Sequence, residues 1–168
     1  SNLSRAEQLC SKTNQFNLRT IRYSENDILS LSKNDQDFCF LTKLEDIYGD
    51  HGLISLVGLK KINSEIVFID NLLMSCRVLG RNLEIWVLNE ILKIAVAKNF
   101  EYIAGQYIET KKNKLTKSFF LDNNFFPVNE SSDSYNALKS ISSGENCKTY
   151  ILKIDEFKNK NLDIFNDD

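Results

Sequence analysis

Arg77 and Arg81 stand four residues apart in the stretch Ser75-Cys76-Arg77-Val78-Leu79-Gly80-Arg81-Asn82, with Gly80 between them. Two guanidinium groups supply paired donors for an oxyanion, and a glycine lets a ligand approach the backbone closely. The flanks add to this. An apolar run from Ile66 to Met74 reads as a strand, and an amphipathic helix pattern begins at Leu83. A strand, a tight turn and a helix start leave backbone N–H groups without internal partners, and a phosphate can satisfy them. Taken alone, such a loop also reads as an ordinary strand-to-helix connection with solvated arginines.

Proton-transfer chemistry has several candidates, each with a plainer reading. Glu45, Asp46, Asp50, His51 and Glu109 sit at strand ends or turns, where a carboxylate or imidazole can act as a base or simply be solvated or capping. His51 lies in a Gly-Asp-His-Gly turn and reads as an exposed turn histidine. Tyr107 could donate a proton, although its strand position suits a packing residue. Cys76 abuts Arg77, which favours a thiolate, but no partner histidine is evident, so it reads as an inert thiol. Cys10, Cys39, Cys76 and Cys147 show no CxxC pairing, and His51 is the only histidine. No metal site is expected, and the cysteines read as reduced cytoplasmic thiols. Trp86, Phe119, Phe120, Phe125 and Phe126 read as core.

These groups need a scaffold. A chain of 168 residues suits one domain with a sizeable core. Its 21 basic and 23 acidic residues leave a net charge of −2, which gives no global field for nucleic acid. No apolar run reaches about 18 residues, and no signal-peptide pattern opens the sequence. The expectation is a soluble cytoplasmic protein without membrane contact.

Residues 1–17 read as a lead-in helix (4–12) and an irregular bridge. Leu18 to Tyr23 alternates like a strand, and Ser24 with Glu25 and Asp27 opens a helix over 25–33. Strands follow at 38–48 and 53–62, separated by a turn at Gly49-Asp50-His51-Gly52. A hairpin at Asn63-Ser64 leads to a strand at 65–75. Leu88, Ile91, Leu92 and Ala95 recur at the spacing of a buried helix face. A strand at 102–108 and a helix at 113–123 come next, the helix ending at Asn123-Asn124, where left-handed backbone is tolerated. Residues 130–146 read as a surface excursion, 148–154 as a last strand, and 156–168 as an acidic tail. The main domain, 18–155, is therefore α+β, with a mixed, mostly antiparallel sheet flanked by helices.

This order of elements resembles the GNAT acyltransferase fold, whose fourth strand leads into a pyrophosphate loop written Q/R-x-x-G-x-G/A. Arg77 and Gly80 match that pattern, and Asn82 stands at its last small position. Four segments resemble more narrowly the C-terminal domain of FkbH-like proteins of glyceryl- and methoxymalonyl-carrier-protein (polyketide) biosynthesis. They are KTNQFNLRTIRYS (12–24), GDHGL (49–53), SCRVLGRNLE (75–84) and YIETKKN (107–113).

The resemblance implies an acyl-thioester ligand, either acyl-coenzyme A or the phosphopantetheine arm of an acyl carrier protein. It implies that Met74 to Cys76 pair with the pantetheine arm. Arg77, Val78, Leu79, Gly80, Arg81 and Asn82 would cradle the phosphates, Asn113 would help position the thiol end, and Lys111, Lys112 and Lys114 would meet an adenosine phosphate. It also implies a HAD-type phosphatase domain in the same or a partner polypeptide. The family's usual acid lies in a Tyr-x-x-x-Gly-Phe pattern; here Phe120 stands at the tyrosine and Asn124 at the glycine. A phenyl ring donates no proton, which leaves Tyr107 as a substitute. Two functions follow: an acyltransferase or thioester-binding domain, and a non-catalytic domain that docks a carrier protein.

Overall fold

The computed structural model describes residues 2–33, 37–46, 49–75, 82–141 and 146–156; over 38–46 and 49–51 it is the backbone that is described. The elements in chain order are α1 (Asn2–Lys12), β1 (Phe16–Asn17), α2 (Glu25–Lys33), β2 (Phe38–Asp46), β3 (Gly49–Lys61) and β4 (Ile66–Met74). They continue with α3 (Leu83–Ala97), β5 (Tyr102–Ile108), a 3-10 turn (Lys114–Thr116), α4 (Phe119–Asp122), β6 (Phe126–Pro127), α5 (Tyr135–Leu138) and β7 (Cys147–Lys153).

The strands form one sheet in the order β2-β3-β4-β5-β7-β6, with β1 paired to β4 off that path. β2, β3 and β4 run antiparallel, β4 and β5 parallel, and β7 antiparallel to β5. The parallel pair requires a crossover, and α3 makes it by burying Val87, Leu88, Ile91, Leu92 and Ala95. Each of these larger side chains contributes roughly 2 kcal/mol on burial. On this face they pack with Val67, Ile69, Ile103, Phe119, Phe120 and Tyr150. The opposite face is covered by α1 and α2 through Ala6, Cys10, Ile28 and Leu31, and by α5 through Leu138. β4 thus has a helix layer on both sides, and all nine of its residues are buried, which is why it reads as an apolar run rather than an alternation.

The start of α2 is built as expected. Ser24 Oγ accepts the Asp27 N–H at 3.2 Å, while the Asp27 carboxylate accepts the Ser24 N–H at 2.8 Å. This reciprocal cap holds the Asp27 carboxyl below its ordinary value, through the backbone hydrogen bond first and the hydroxyl second.

Several expectations are corrected. Residues 18–23 form no strand: strand pairing ends at Asn17, and Thr20 turns to a φ of 56°. Residues 49–52 belong to β3, with Gly49 opposite Asp46. The helix expected over 113–123 is a 3-10 turn and the short α4, broken between them. Trp86 is 47% exposed and Phe126 59% exposed, so neither is core, while Phe119, Phe120 and Phe125 are. Asn124 takes the left-handed φ of 69° anticipated for it.

Candidate functional site

β4 and β5 begin as paired neighbours and then part. Their ladder runs from Ile66 opposite Tyr102 to Ile69 opposite Gly105. Next on β4 comes Asp70, at a register shift: across to β3, Gly58 faces Asn71 and Leu59 faces Ile69, so Asp70 has no opposite number. A bulge of this kind bends a strand and raises its twist, and beyond it the two strands diverge into a wedge.

The chain fills that wedge itself. β1 pairs with β4 at Met74 and Leu73. The same two residues pair with Ser55 and Leu56 of β3 on their other edge, so β1 must lie on the side facing β5. Leu18 then spans the gap: its N–H donates to Leu72 O at 3.3 Å, and its carbonyl accepts the Ile108 N–H at 2.8 Å. Asn113, fully buried, pins this inlay. Its Nδ2 donates to Asn17 O at 2.9 Å and to Ile108 O at 2.8 Å, and its Oδ1 accepts the Thr110 N–H at 2.8 Å. Below, Phe16 meets Phe119 edge-on with centroids 5.5 Å apart.

A polar network continues from the inlay into the bulge. Arg19 Nη1 donates to Asp70 O at 2.8 Å and to Asp70 Oδ1 at 2.9 Å, and the guanidinium lies 4.9 Å from the Phe68 ring centre. Tyr23 donates its hydroxyl to Asp70 Oδ2, and Lys60 Nζ is 3.7 Å from that oxygen. Tyr23 reaches Asp70 across Gly58, where any Cβ would collide with its ring and hydroxyl. Sequence reasoning missed this network. The signal was a lone Asp-Asn pair inside the otherwise apolar IVFIDNLLM, since a charge is rarely buried without a partner.

α3 starts after the C-terminal end of β4. Its N-cap, Asn82, is left-handed (φ 59°, ψ 20°) and makes no side-chain cap hydrogen bond. Cys76, Arg77, Val78, Leu79, Gly80 and Arg81 lie outside the described residues. So do the side chains of Glu45, Asp46, Asp50 and His51, whose backbone belongs to β2 and β3. Met74, expected to meet a ligand, is paired with Phe16 on one edge and Ser55 on the other.

Two candidate residues come together. Tyr107 and Glu109 line a cavity of about 420 Å³ with Lys117, Ser118, Leu121, Asn146, Lys148 and Tyr150. The Tyr107 hydroxyl is turned to Asn113 Oδ1 at 3.2 Å, and burial, then the charge of Glu109, pushes it above its ordinary value. A second groove of about 320 Å³, between α3 and the 3-10 turn and α4, has Phe16 and Phe119 in its lining with Glu84, Ile85 and Leu115. Phe120 reaches neither cavity. It is buried over Gly105, where a Cβ would collide with its ring, and stacks on Tyr150 at 5.2 Å. Among the described residues no group of three or more His, Cys, Asp or Glu is placed to hold a metal. No helix among them is long and apolar enough to cross a membrane.

The structure as a whole has many counterparts among solved structures. The Mycobacterium tuberculosis protein Rv2747, solved in complex with coenzyme A, aligns over 90% of this chain and 93% of its own with a TM-score of 0.65 at 11% identity. Tetrahymena GCN5 aligns over 91% and 86% with a TM-score of 0.63 at 11% identity. The Vibrio cholerae spermidine/spermine N-acetyltransferase SpeG aligns over 95% and 92% with a TM-score of 0.63 at 14% identity. The fold is that of the GNAT acetyltransferases. No protein-family model and no curated protein matches the sequence. Within the GNAT fold, this chain's wedge holds its own residues 16–18.

Proposed function

We propose that this chain is an acyltransferase-type domain that binds an acyl thioester, either acyl-coenzyme A or the acylated phosphopantetheine arm of a carrier protein. The carrying observation is the parting of β4 from β5 after Ile69, on the strand that leads toward the stretch 77–82. The left-handed Asn82 ends that stretch and α3 begins above it. This arrangement leaves the first-turn N–H groups of α3 free of a side-chain cap, and an anion satisfies such groups. Arg77 and Arg81 then supply charge for the phosphates of the ligand. Fold alone does not fix chemistry, but coenzyme A in the M. tuberculosis neighbour and in an N-acetylglutamate synthase from Neisseria gonorrhoeae supports the ligand class. The four sequence segments named above support an FkbH-like context, with a carrier protein and a HAD-type domain as cytoplasmic partners.

A second reading is favoured by particular side chains. Phe120 is buried apolar core, and the Tyr107 hydroxyl already donates to Asn113 Oδ1. Neither is ready to protonate a departing thiolate. A domain that presents a carrier-borne thioester without turning it over fits those facts.

Calorimetric titration with coenzyme A, acetyl-coenzyme A and holo-carrier protein tests the proposal. Saturable binding that Arg81→Glu abolishes, with the fold intact, is the expected result. Unchanged affinity in that variant would sink the phosphate cradle. Acyl transfer by the isolated chain would rule out the docking-only reading.

A further inference from the structure

We infer that residues Phe16–Arg19 are a built-in occupant of the thioester slot and that a donor arm enters only by displacing them. The inference rests on the thioester reading above and concerns how that site is regulated.

A pantetheine arm carries two amides, and the resemblance implies that it pairs with the end of β4. The edge of β4 that faces the wedge is already in use. Leu73 and Met74 pair with β1, and Leu72 O accepts the Leu18 N–H. The inlay therefore presents to β4 the same kind of hydrogen-bonding chain that an arm would present. Both cannot pair with Met74, the residue they share, at once.

The inlay is also held imperfectly, which a permanent strand need not be. Thr20, which follows it, is β-branched yet left-handed at φ 56°, a conformation such residues rarely adopt. Buried polar atoms without a hydrogen-bond partner gather here: Arg19 Nε and Thr20 Oγ1 in the segment, Asn71 Oδ1 on β4, and Ser55 Oγ on β3 opposite Met74. Buried polar atoms are nearly always satisfied, so these atoms, like the Thr20 backbone, hold the inlay less firmly than a fully paired strand would be held. Phe16 is buried at the edge of the core on Phe119, and its ring also contributes to the lining of the groove between α3 and α4, the side on which the inlay would leave.

Population arithmetic gives the consequence. If the open wedge is a minor state, the apparent affinity for free coenzyme A falls by the fraction open, and substitutions that shift that fraction shift affinity with it. Phe16→Ala removes the inlay's aromatic anchor on Phe119. Thr20→Gly relieves the strain and seats the inlay more firmly. Titration with coenzyme A by calorimetry, with amide hydrogen exchange at Leu18 and Ile108, reads both effects. The expected result is coenzyme A binding about tenfold tighter in Phe16→Ala and several-fold weaker in Thr20→Gly. Saturating ligand should also speed exchange at the Ile108 amide, which loses Leu18 O.

Equal affinity in wild type and both variants, with Leu18 and Ile108 protection unmoved by bound coenzyme A, would overturn the inference and leave the thioester reading standing. Failure of all three proteins to bind either coenzyme A or holo-carrier protein would overturn the thioester reading and the inference with it. A general loss of stability cannot imitate the expected result, because it does not tighten binding.

Discussion

The two edges of β5 are built in opposite ways. Against β7 it pairs along its whole length, from Tyr102 opposite Lys153 to Ile108 opposite Cys147, without a register shift. Over that edge Phe120 lies on the bare backbone of Gly105, with Phe125 and Tyr150 packed against its ring. Against β4 it pairs only from Tyr102 to Gly105. The rest of that edge is completed by a borrowed segment, a buried asparagine and an arginine that reaches back to an aspartate. One edge is closed by an unbroken backbone ladder under close apolar packing, which leaves no gap for a ligand. The other is closed by hydrogen bonds, which another chain of amides could replace.

The comparison is broken most directly on the apolar side. Phe120→Ala should cost about 3–5 kcal/mol, since the ring is fully buried among aromatic neighbours and the site cannot collapse over Gly105. Phe16→Ala, at the edge of the same core where the ring also borders a groove, should cost less. Urea unfolding of the two variants measures the contrast. Equal losses would mean that the wedge is as tightly built as the β7 edge.

A second contrast lies within the wedge. Asp70→Ala leaves Arg19 buried and uncompensated and should cost about 3 kcal/mol or more. Arg19→Met keeps the volume of the stem, leaves Asp70 with Tyr23 and Lys60, and should cost about 1 kcal/mol or less. The asymmetry is the test. Matched losses would show that the pair contributes chiefly through its own attraction, and the inlay would then be anchored far more firmly than its unsatisfied atoms suggest.

Much of this fold was legible because it follows from local rules. The period-3.6 pattern of α3, the apolar run of β4 and the Ser24–Asp27 cap all stand where the sequence puts them. The fold class followed from the order of those elements. What could not be read was decided by distant partners. LRTIRY alternates like a strand, yet Leu18 and Arg19 are claimed by Leu72, Ile108 and Asp70, residues fifty or more positions away in several cases. Asn113 looked like the start of a helix near a ligand, and the structure shows it bonded to Asn17, a pairing of sequence separation 96. Trp86 reads as core by residue type, but its turn of α3 faces outward. Glycine gave no warning at 58 or 105, because the need for a bare backbone lies in Tyr23 and Phe120, not in the local sequence.

The smallest expected effect bears most closely on whether the wedge is settled. Thr20 carries a left-handed φ of 56° and a buried hydroxyl without a partner. Left-handed backbone costs a β-branched residue about 1–2 kcal/mol, and an unsatisfied hydroxyl adds about 1 kcal/mol or more. Thr20→Gly removes both, against an unfolded-state entropy loss of about 0.5–1 kcal/mol. The variant should therefore be more stable by about 1 kcal/mol. Thr20→Ala removes only the hydroxyl, keeps the strained φ, and should gain less. A thermal melt of the three proteins orders them. If glycine proves no better than alanine, the backbone at residue 20 carries no strain, and the edge facing β4 is as much a finished strand as the one facing β7.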